Sequence, residues 1–194
     1  MSFSGRPARP GRSDARANRR RVLEAARQVL IEQGQDAEVR EIAQKAGVGL
    51  ATIYRGFGNK EGLLTAMAEQ VNDDVLNLLS AAERQAQPRE GLRCFLVGAI
   101  DYVHAHGPLF GILAEHFRDE GREMHLELGA RVGGLIERGV ASGGFRADLN
   151  VAVVVHIIFS SLMAIAHSGA LTPGVGDEEL TQSLLSLLAA QQPA

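Results

Sequence analysis

The chain has 194 residues, 45% of them hydrophobic and 22% charged, with a formal net charge of −3. That is the length of one large domain or two small ones, and the composition excludes wholesale disorder. Cys94 is the only cysteine, which excludes a disulfide framework and a cysteine-based zinc site. The longest apolar stretch, Val151–Ala166, is interrupted by His156, Ser160 and Ser161 and is shorter than the roughly 20 residues of a membrane span. No apolar segment follows the arginine-rich N-terminus, so a secretory signal is not expected and a soluble cytoplasmic protein is.

The small net charge hides an asymmetry. Residues 1–60 carry 12 Lys and Arg against 6 acids, a balance of +6, whereas residues 61–194 carry 8 Arg against 17 acids, a balance of −9. A small basic module for a polyanion joined to a larger acidic module explains this, and chance clustering of solvated charges is the alternative.

Residues 1–13 hold Arg6, Arg9 and Arg12 among Gly and Pro with no hydrophobic period, and read as a disordered basic arm. From Asp14 onward, Val22, Ala25, Ala26, Val29 and Leu30 mark one face of an amphipathic helix that Gly34 ends. A second short helix puts Val39, Ile42, Ala43 and Ala46 on one face and stops at Gly47. A third, Leu50–Phe57, has Ile53 and Phe57 on its inner side. Asn59 is a good N-cap for a fourth helix carrying Leu63, Leu64, Met67, Val71, Val75 and Leu78. Further helices are expected over about 89–105, 109–117, 123–141, 151–168 and 177–190, with Gly107-Pro108 as a break and a restart. The segment 151–168 is apolar nearly all round, as a helix buried on several sides would be. No strand pattern occurs. The fold class is all-α, with about nine helices.

The chemistry concentrates in Val39–Leu64, VREIAQKAGVGLATIYRGFGNKEGLL. Two short helices joined at Ala46-Gly47-Val48-Gly49 read as a helix-turn-helix, whose second helix enters a DNA major groove. Thr52 and Tyr54 offer hydroxyls to phosphates, Arg55 a bidentate fork to guanine or phosphate, and Lys60 a cation at a helix start. Leu50 and Ala51 suit a thymine methyl, and Arg40 on the preceding helix completes the candidate set. A helix hairpin packed in an ordinary bundle is the alternative.

The motifs Ile42-Ala43-x-x-Ala46-Gly47-Val48, Thr52-Ile53-Tyr54-Arg55-x-Phe57 and Lys60-Glu61-x-Leu63-Leu64 resemble the DNA-binding region of the TetR family of one-component bacterial repressors. The resemblance extends to roughly residues 18–80, and Gly144–Leu149 (GFRADL) is similar to the family's junction before its first dimerisation helix. It implies phosphate contacts from Thr52, Tyr54 and Lys60, and base contacts from Gly49, Leu50, Ala51 and Arg55. Three positions depart from the pattern. Gly49 stands where Ser caps the recognition helix, Glu38 where Thr or Ser caps the preceding one (leaving Asp36 as an alternative cap), and Gly56 where His precedes the Phe. The arm's Arg6, Arg9 and Arg12 either compensate in a minor groove or form a solvated tail.

The resemblance also implies three regions: the arm 1–13, a DNA-binding domain 14–60, and a ligand-binding and dimerisation domain 61–194, with helix 59–80 linking the last two. For a homodimer interface the last two helices offer Val153, Ile157, Ser160, Ser161, Met163 and Ala164, then Leu184, Leu185 and Leu188; a monomer core is the alternative. A dimer would read a palindromic operator. Pocket candidates are Phe95, Tyr102, His106, Phe110, Leu113, His116, Phe117 and Phe159, each also explicable as core, with Asp101 and Glu115 leaving a cationic ligand conceivable. The implied effector is small and largely apolar, and acts by tilting the linking helix.

No catalytic constellation is present: His104, His106, His116, His125, His156 and His167 form no metal-protease motif, and no phosphate loop or nucleophile elbow occurs. Neither an enzyme nor a metal or cofactor is expected. Two rivals to a ligand-responsive repressor are a non-specific architectural DNA-binding protein and a small-molecule carrier with a degenerate DNA-binding segment.

Overall fold

The computed structural model describes residues 12–116, 121–168 and 176–190. Over these residues the chain forms eight α-helices and one short 3-10 turn, with no named strand. It divides into two compact units, Met1–Met67 and Ala68–Ala194.

In the first unit, α1 (Arg12–Gln33) buries Val22, Ala25, Ala26, Val29 and Leu30, the apolar row expected from the spacing, and Leu23 with them. It starts earlier than Asp14, so positions 12 and 13 of the expected disordered arm are helical; residues 1–11 lie outside the described residues. The 3-10 turn Gly34–Asp36 leads to α2 (Val39–Ala46), whose N-cap is Glu38 and not Asp36. The Glu38 N–H donates to Glu41 Oε2 at 3.4 Å. Gly47 ends α2 at φ 64, a left-handed conformation that suits glycine, and Val48 N–H reaches back to the Ala43 carbonyl at 3.0 Å. α3 (Leu50–Phe57) starts from an extended Gly49 and stops at Gly58 (φ 81), whose N–H bonds the Tyr54 carbonyl at 2.9 Å. α4 (Lys60–Glu83) begins as the sequence predicts, with Asn59 Oδ1 accepting the Gly62 N–H at 2.8 Å. Gly62 is required sterically: a Cβ there would stand 1.9 Å from the Phe57 carbonyl oxygen, so only glycine lets α4 start so close to the end of α3.

The second unit is built around α5 (Pro88–His116), which packs against α6 (Gly121–Ala141), α7 (Val151–Ser168) and α8 (Asp177–Leu188). Its core includes Leu79 and Ala82 of α4, Leu92, Phe95, Leu96 and Ile100 of α5, Val132, Leu135 and Ile136 of α6, Ile158 and Leu162 of α7, and Leu185 and Leu188 of α8. The expected break at Gly107-Pro108 does not occur. One helix runs through it, which lowers the expected nine helices to eight. Pro108 has no N–H for the His104 carbonyl, yet Leu109 and Leu113 beyond it are buried, and each buried leucine is worth about 1.5–3 kcal/mol. Gly107 lets α7 pass close to the helix at this point: a Cβ there would lie 2.8 Å from the Ala166 carbonyl oxygen. α7 is not covered all round either, since Val153 and Ile157 are about half exposed, at 50% and 47%.

After α6, Gly143 turns the chain at φ 74 and Phe145 enters the core, its ring filling the space where Gly139 has no side chain. Arg146 N–H then donates to the Leu188 carbonyl at 3.0 Å, tying the end of α8 to the junction that the GFRADL motif marks. Across α4 and α6, Arg131 grips Glu83 through Nε (3.0 Å) and Nη2 (2.6 Å), and Nη2 also donates to Ser80 Oγ at 3.1 Å. The hydrogen bonds from Arg131 hold the Glu83 carboxyl below its ordinary pKa, against a smaller desolvation effect in the other direction.

Two outcomes follow from these contacts. Gly62→Ala destabilises the first unit by about 1–3 kcal/mol, because the backbone carbonyl of Phe57 must move; thermal unfolding of the variant measures it. Arg131→Gln costs about 1 kcal/mol at neutral pH, since the pair is half-buried and partly solvated. Because the native Glu83 pKa is depressed, its contribution is full above the free-glutamate value of about 4.3 and is lost as pH falls through the lower native value. Melting curves of wild type and variant therefore separate at neutral pH and converge in strong acid.

Candidate nucleic-acid interface

The recognition segment is held from behind. Ile53 is fully buried and Phe57 half-buried, and these are the inner positions of α3. The opposite residues are free: Leu50, Ala51, Thr52, Tyr54, Arg55 and Gly56 are all exposed, as is the N-cap Gly49. Leu50 and Tyr54 form one row at a four-residue spacing, and Ala51 and Arg55 form the next. Among the described residues of the first unit, the exposed large hydrophobic ones are Leu50, at 37%, and Tyr54, at 48%, both on this helix. One short helix thus presents apolar surface, two hydroxyls and a guanidinium together, which is the mixture that reads methyls, phosphates and base edges in a major groove.

The cations around α3 fall into two groups. Arg40 on α2 and Arg55 on α3 are exposed and hold no hydrogen bond or ion pair among the described residues. Others are engaged. Lys45 Nζ lies 2.6 Å from Glu32 Oε1, and the Arg19 guanidinium sits 4.9 Å over the Phe57 ring. Lys60, expected on a phosphate, is half-buried, and its Nζ donates to the Gln35 carbonyl at 2.5 Å. It therefore ties the start of α4 to the 3-10 turn, a structural task that the sequence pattern does not reveal because the two residues are 25 apart.

In the second unit the pocket candidates separate. Phe95 and Phe159 belong to the packed core, and Leu113 is buried. Tyr102, His106 and Phe110 come together as a half-buried aromatic row on α5. The Tyr102 ring meets His106 edge-on at 4.4 Å and Phe110 at 6.0 Å, and Tyr102 Oη donates to Asp74 Oδ2 of α4 at 3.0 Å. Asp74 is the member that sequence reasoning missed, because it stands beside Asp73 in a polar stretch of α4 and nothing local points to Tyr102. Asp101 is exposed. The side chains of Glu115 and His116, and Phe117 altogether, lie outside the described residues.

The interface candidates separate as well. Val153, Ile157, Ser160 and Ala164 line an exposed row of α7, while Ser161, Met163 and Leu184 are half-buried and Leu185 and Leu188 are core. Leu188 is thus not free for a partner. Leu187, three residues after Leu184, is 69% exposed instead, and the i, i+3 spacing could have identified it. Among the described residues, no group of three or more His, Cys, Asp or Glu could hold a metal ion, and no helix is long and apolar enough to cross a membrane.

Comparison with known proteins agrees with this geometry. The model of the family described as bacterial regulatory proteins, tetR family, matches residues 22–67, which covers α1 to the start of α4. The transcriptional regulator YvkB of Bacillus subtilis is 41% identical over 69 residues, 35% of this chain and 36% of its own. The regulator YdeS of the same organism is 28% identical over 176 residues, 84% of this chain and 81% of its own. Among solved structures, AibR in complex with isovaleryl coenzyme A and operator DNA has a TM-score of 0.70 at 20% identity, covering 89% of this chain and 98% of that one. FadR from Bacillus subtilis in complex with stearoyl-CoA has a TM-score of 0.67 at 23% identity, covering 88% and 97%. The fold is theirs, and the match to the tetR family model lies on the segment that holds α2 and α3.

Proposed function

We propose that the protein is a ligand-responsive transcriptional repressor that binds a palindromic operator as a homodimer and is released by a small, largely apolar effector. The observation that carries this reading is α3: eight residues anchored by Ile53, with Leu50, Ala51, Thr52, Tyr54 and Arg55 all turned to solvent. A core helix would not spend its apolar residues that way. Support for a homodimer comes from the exposed row Val153, Ile157, Ser160 and Ala164 with Leu187, because one recognition helix spans too few base pairs for useful specificity.

The effector would act in the second unit, where Tyr102, His106, Phe110 and Asp74 mix apolar surface with a few polar groups. Helix α4 is continuous from Lys60 to Glu83 and contributes residues to both units, so a displacement of its second half is carried to its first. Linkage then requires operator and effector to weaken each other by one common factor, typically 5–150-fold. The two structural neighbours hold isovaleryl coenzyme A and stearoyl-CoA, whose acyl chains are apolar although the coenzyme A portion is large and charged, so acyl chains of graded length, carried on coenzyme A, are the first effectors to try.

Selection of the purified protein on a random duplex library tests the DNA reading. One palindromic site is expected, with half-sites about 34–36 Å apart. Tyr54→Ala abolishes the enrichment, and Ile157→Glu yields single chains in sedimentation that no longer select paired half-sites. Binding without any enriched sequence overturns the repressor in favour of an architectural protein, and no binding near about 0.1 M salt does so in favour of a carrier. For the effector, titration of an acyl coenzyme A series into the operator complex lowers operator affinity about 5–150-fold for at least one chain length. A ligand that binds at saturation and leaves operator affinity unchanged refutes release as the mechanism.

A further inference from the structure

Helix α1 outruns its own core. It begins at Arg12, and from Asp14, the first residue whose burial is described, to Arg21 every side chain except the half-buried Asn18 is exposed; Val22 is the first buried residue after them. About 15 Å of helix therefore precedes the packed part. Arg16 and Arg19 lie seven and four residues before the buried Leu23, so they prolong the same row that Leu23 and Leu30 occupy in the body of the helix. Arg20 stands beside them, four residues after Arg16. The 4.9 Å contact of the Arg19 guanidinium with the Phe57 ring sets this row against the C-terminal end of α3.

On its own such a segment is arranged against its electrostatics. Arg16 faces Arg19 at i, i+3 and Arg20 at i, i+4, and like charges at those spacings destabilise a helix. An exposed helix with no apolar stripe gains nothing from packing either. Arg16 and Arg20 hold no hydrogen bond or ion pair among the described residues, in contrast to Arg27, which is paired with Glu24 further along the same helix. The missing counter-charge is an anion with repeated charges at helical reach, next to the segment that presents Tyr54 and Arg55.

We propose that the N-terminal extension of α1 is a second DNA-contacting element, in which Arg16 and Arg20 bind the phosphodiester backbone alongside the groove that α3 enters. This rests on the DNA-binding reading above and adds to it a division of labour: α3 reads sequence, and the α1 extension supplies sequence-independent affinity. Charge is what matters there, so the contact has a signature that base readout lacks. Each neutralised phosphate releases counterions and steepens the dependence of binding on salt.

The test measures binding of the full chain to duplex DNA over a range of salt concentrations for three proteins: wild type, Arg16→Gln/Arg20→Gln, and the control Arg84→Gln/Arg138→Gln. The control removes the same net charge from exposed positions of the second unit. The slope of log affinity against log salt is expected to become shallower by about 1.8 for the α1 variant, two contacts at about 0.9 each, with the selected sequence unchanged. The control keeps the wild-type slope. An unchanged slope in the α1 variant overturns the proposal, as does an equal change in the control or a shift in the selected sequence. If wild type binds DNA without enriching a site, the operator reading fails while the slopes still decide this one. If wild type binds no duplex even at low salt, both fall together.

Discussion

Everything the first unit offers to a partner depends on the burial of Ile53. An eight-residue helix cannot sustain itself in water, since nucleation is costly and so few hydrogen bonds follow it. α3 exists because Ile53 is fully buried, Phe57 half-buried, and glycines at both ends satisfy the backbone without side chains in the way. Its outer face is then left free of structural duty. Leu50, Tyr54 and Arg55 can be chosen for what they touch outside the protein, while the inner face alone specifies where the helix lies.

The cations show the same separation between holding and reaching. Lys60 and Lys45 are long, flexible ammonium groups, and both are engaged by oxygen acceptors of the first unit, the Gln35 carbonyl and the exposed Glu32. The guanidinium groups of Arg40 and Arg55 remain unengaged among the described residues. A planar fork is the better tool for a phosphate or a guanine edge, whereas a point charge serves well as a clamp on a lone carbonyl. In the second unit Arg131 shows that arginine can clamp too, when a carboxylate and a hydroxyl are arranged to fill its fork.

Much of the architecture was legible because it is written in local periodicity. The spacing of Val22 to Leu30, the glycine at 47 and the Asn59 cap placed the first helices to within a few residues. Where the reading departed from the structure, some causes were contacts distant in sequence and others were local. Gly107-Pro108 carries every local mark of a break, yet the helix continues, with Leu109 and Leu113 buried beyond it and Gly107 set against Ala166 of α7. Glu38 is a poor candidate for a cap by type, yet it takes that place with Glu41 beside it. Lys60 matched a motif and still turned inward. Leu188 and Leu187 are indistinguishable by composition; Leu188 shares the face of the buried Leu185, three residues before it, and Leu187 lies on the exposed one. Pocket and interface residues were the least legible, since an apolar side chain looks the same whether it waits for a ligand, a second chain or the core.

The unbroken passage of α5 through Pro108 bears on how such a chain can change length over evolutionary time. A loop at that point would absorb an inserted or deleted residue at little cost. A continuous helix turns about 100° per residue, so one extra residue would swing Leu109 and Leu113 away from the side they share with Phe95, Ala99 and Val103. Gly107 would lose its station against α7 in the same movement. Substitution is therefore open along much of this helix, while its length is not: lineages that keep this core can vary the lining side chains freely, but only in register.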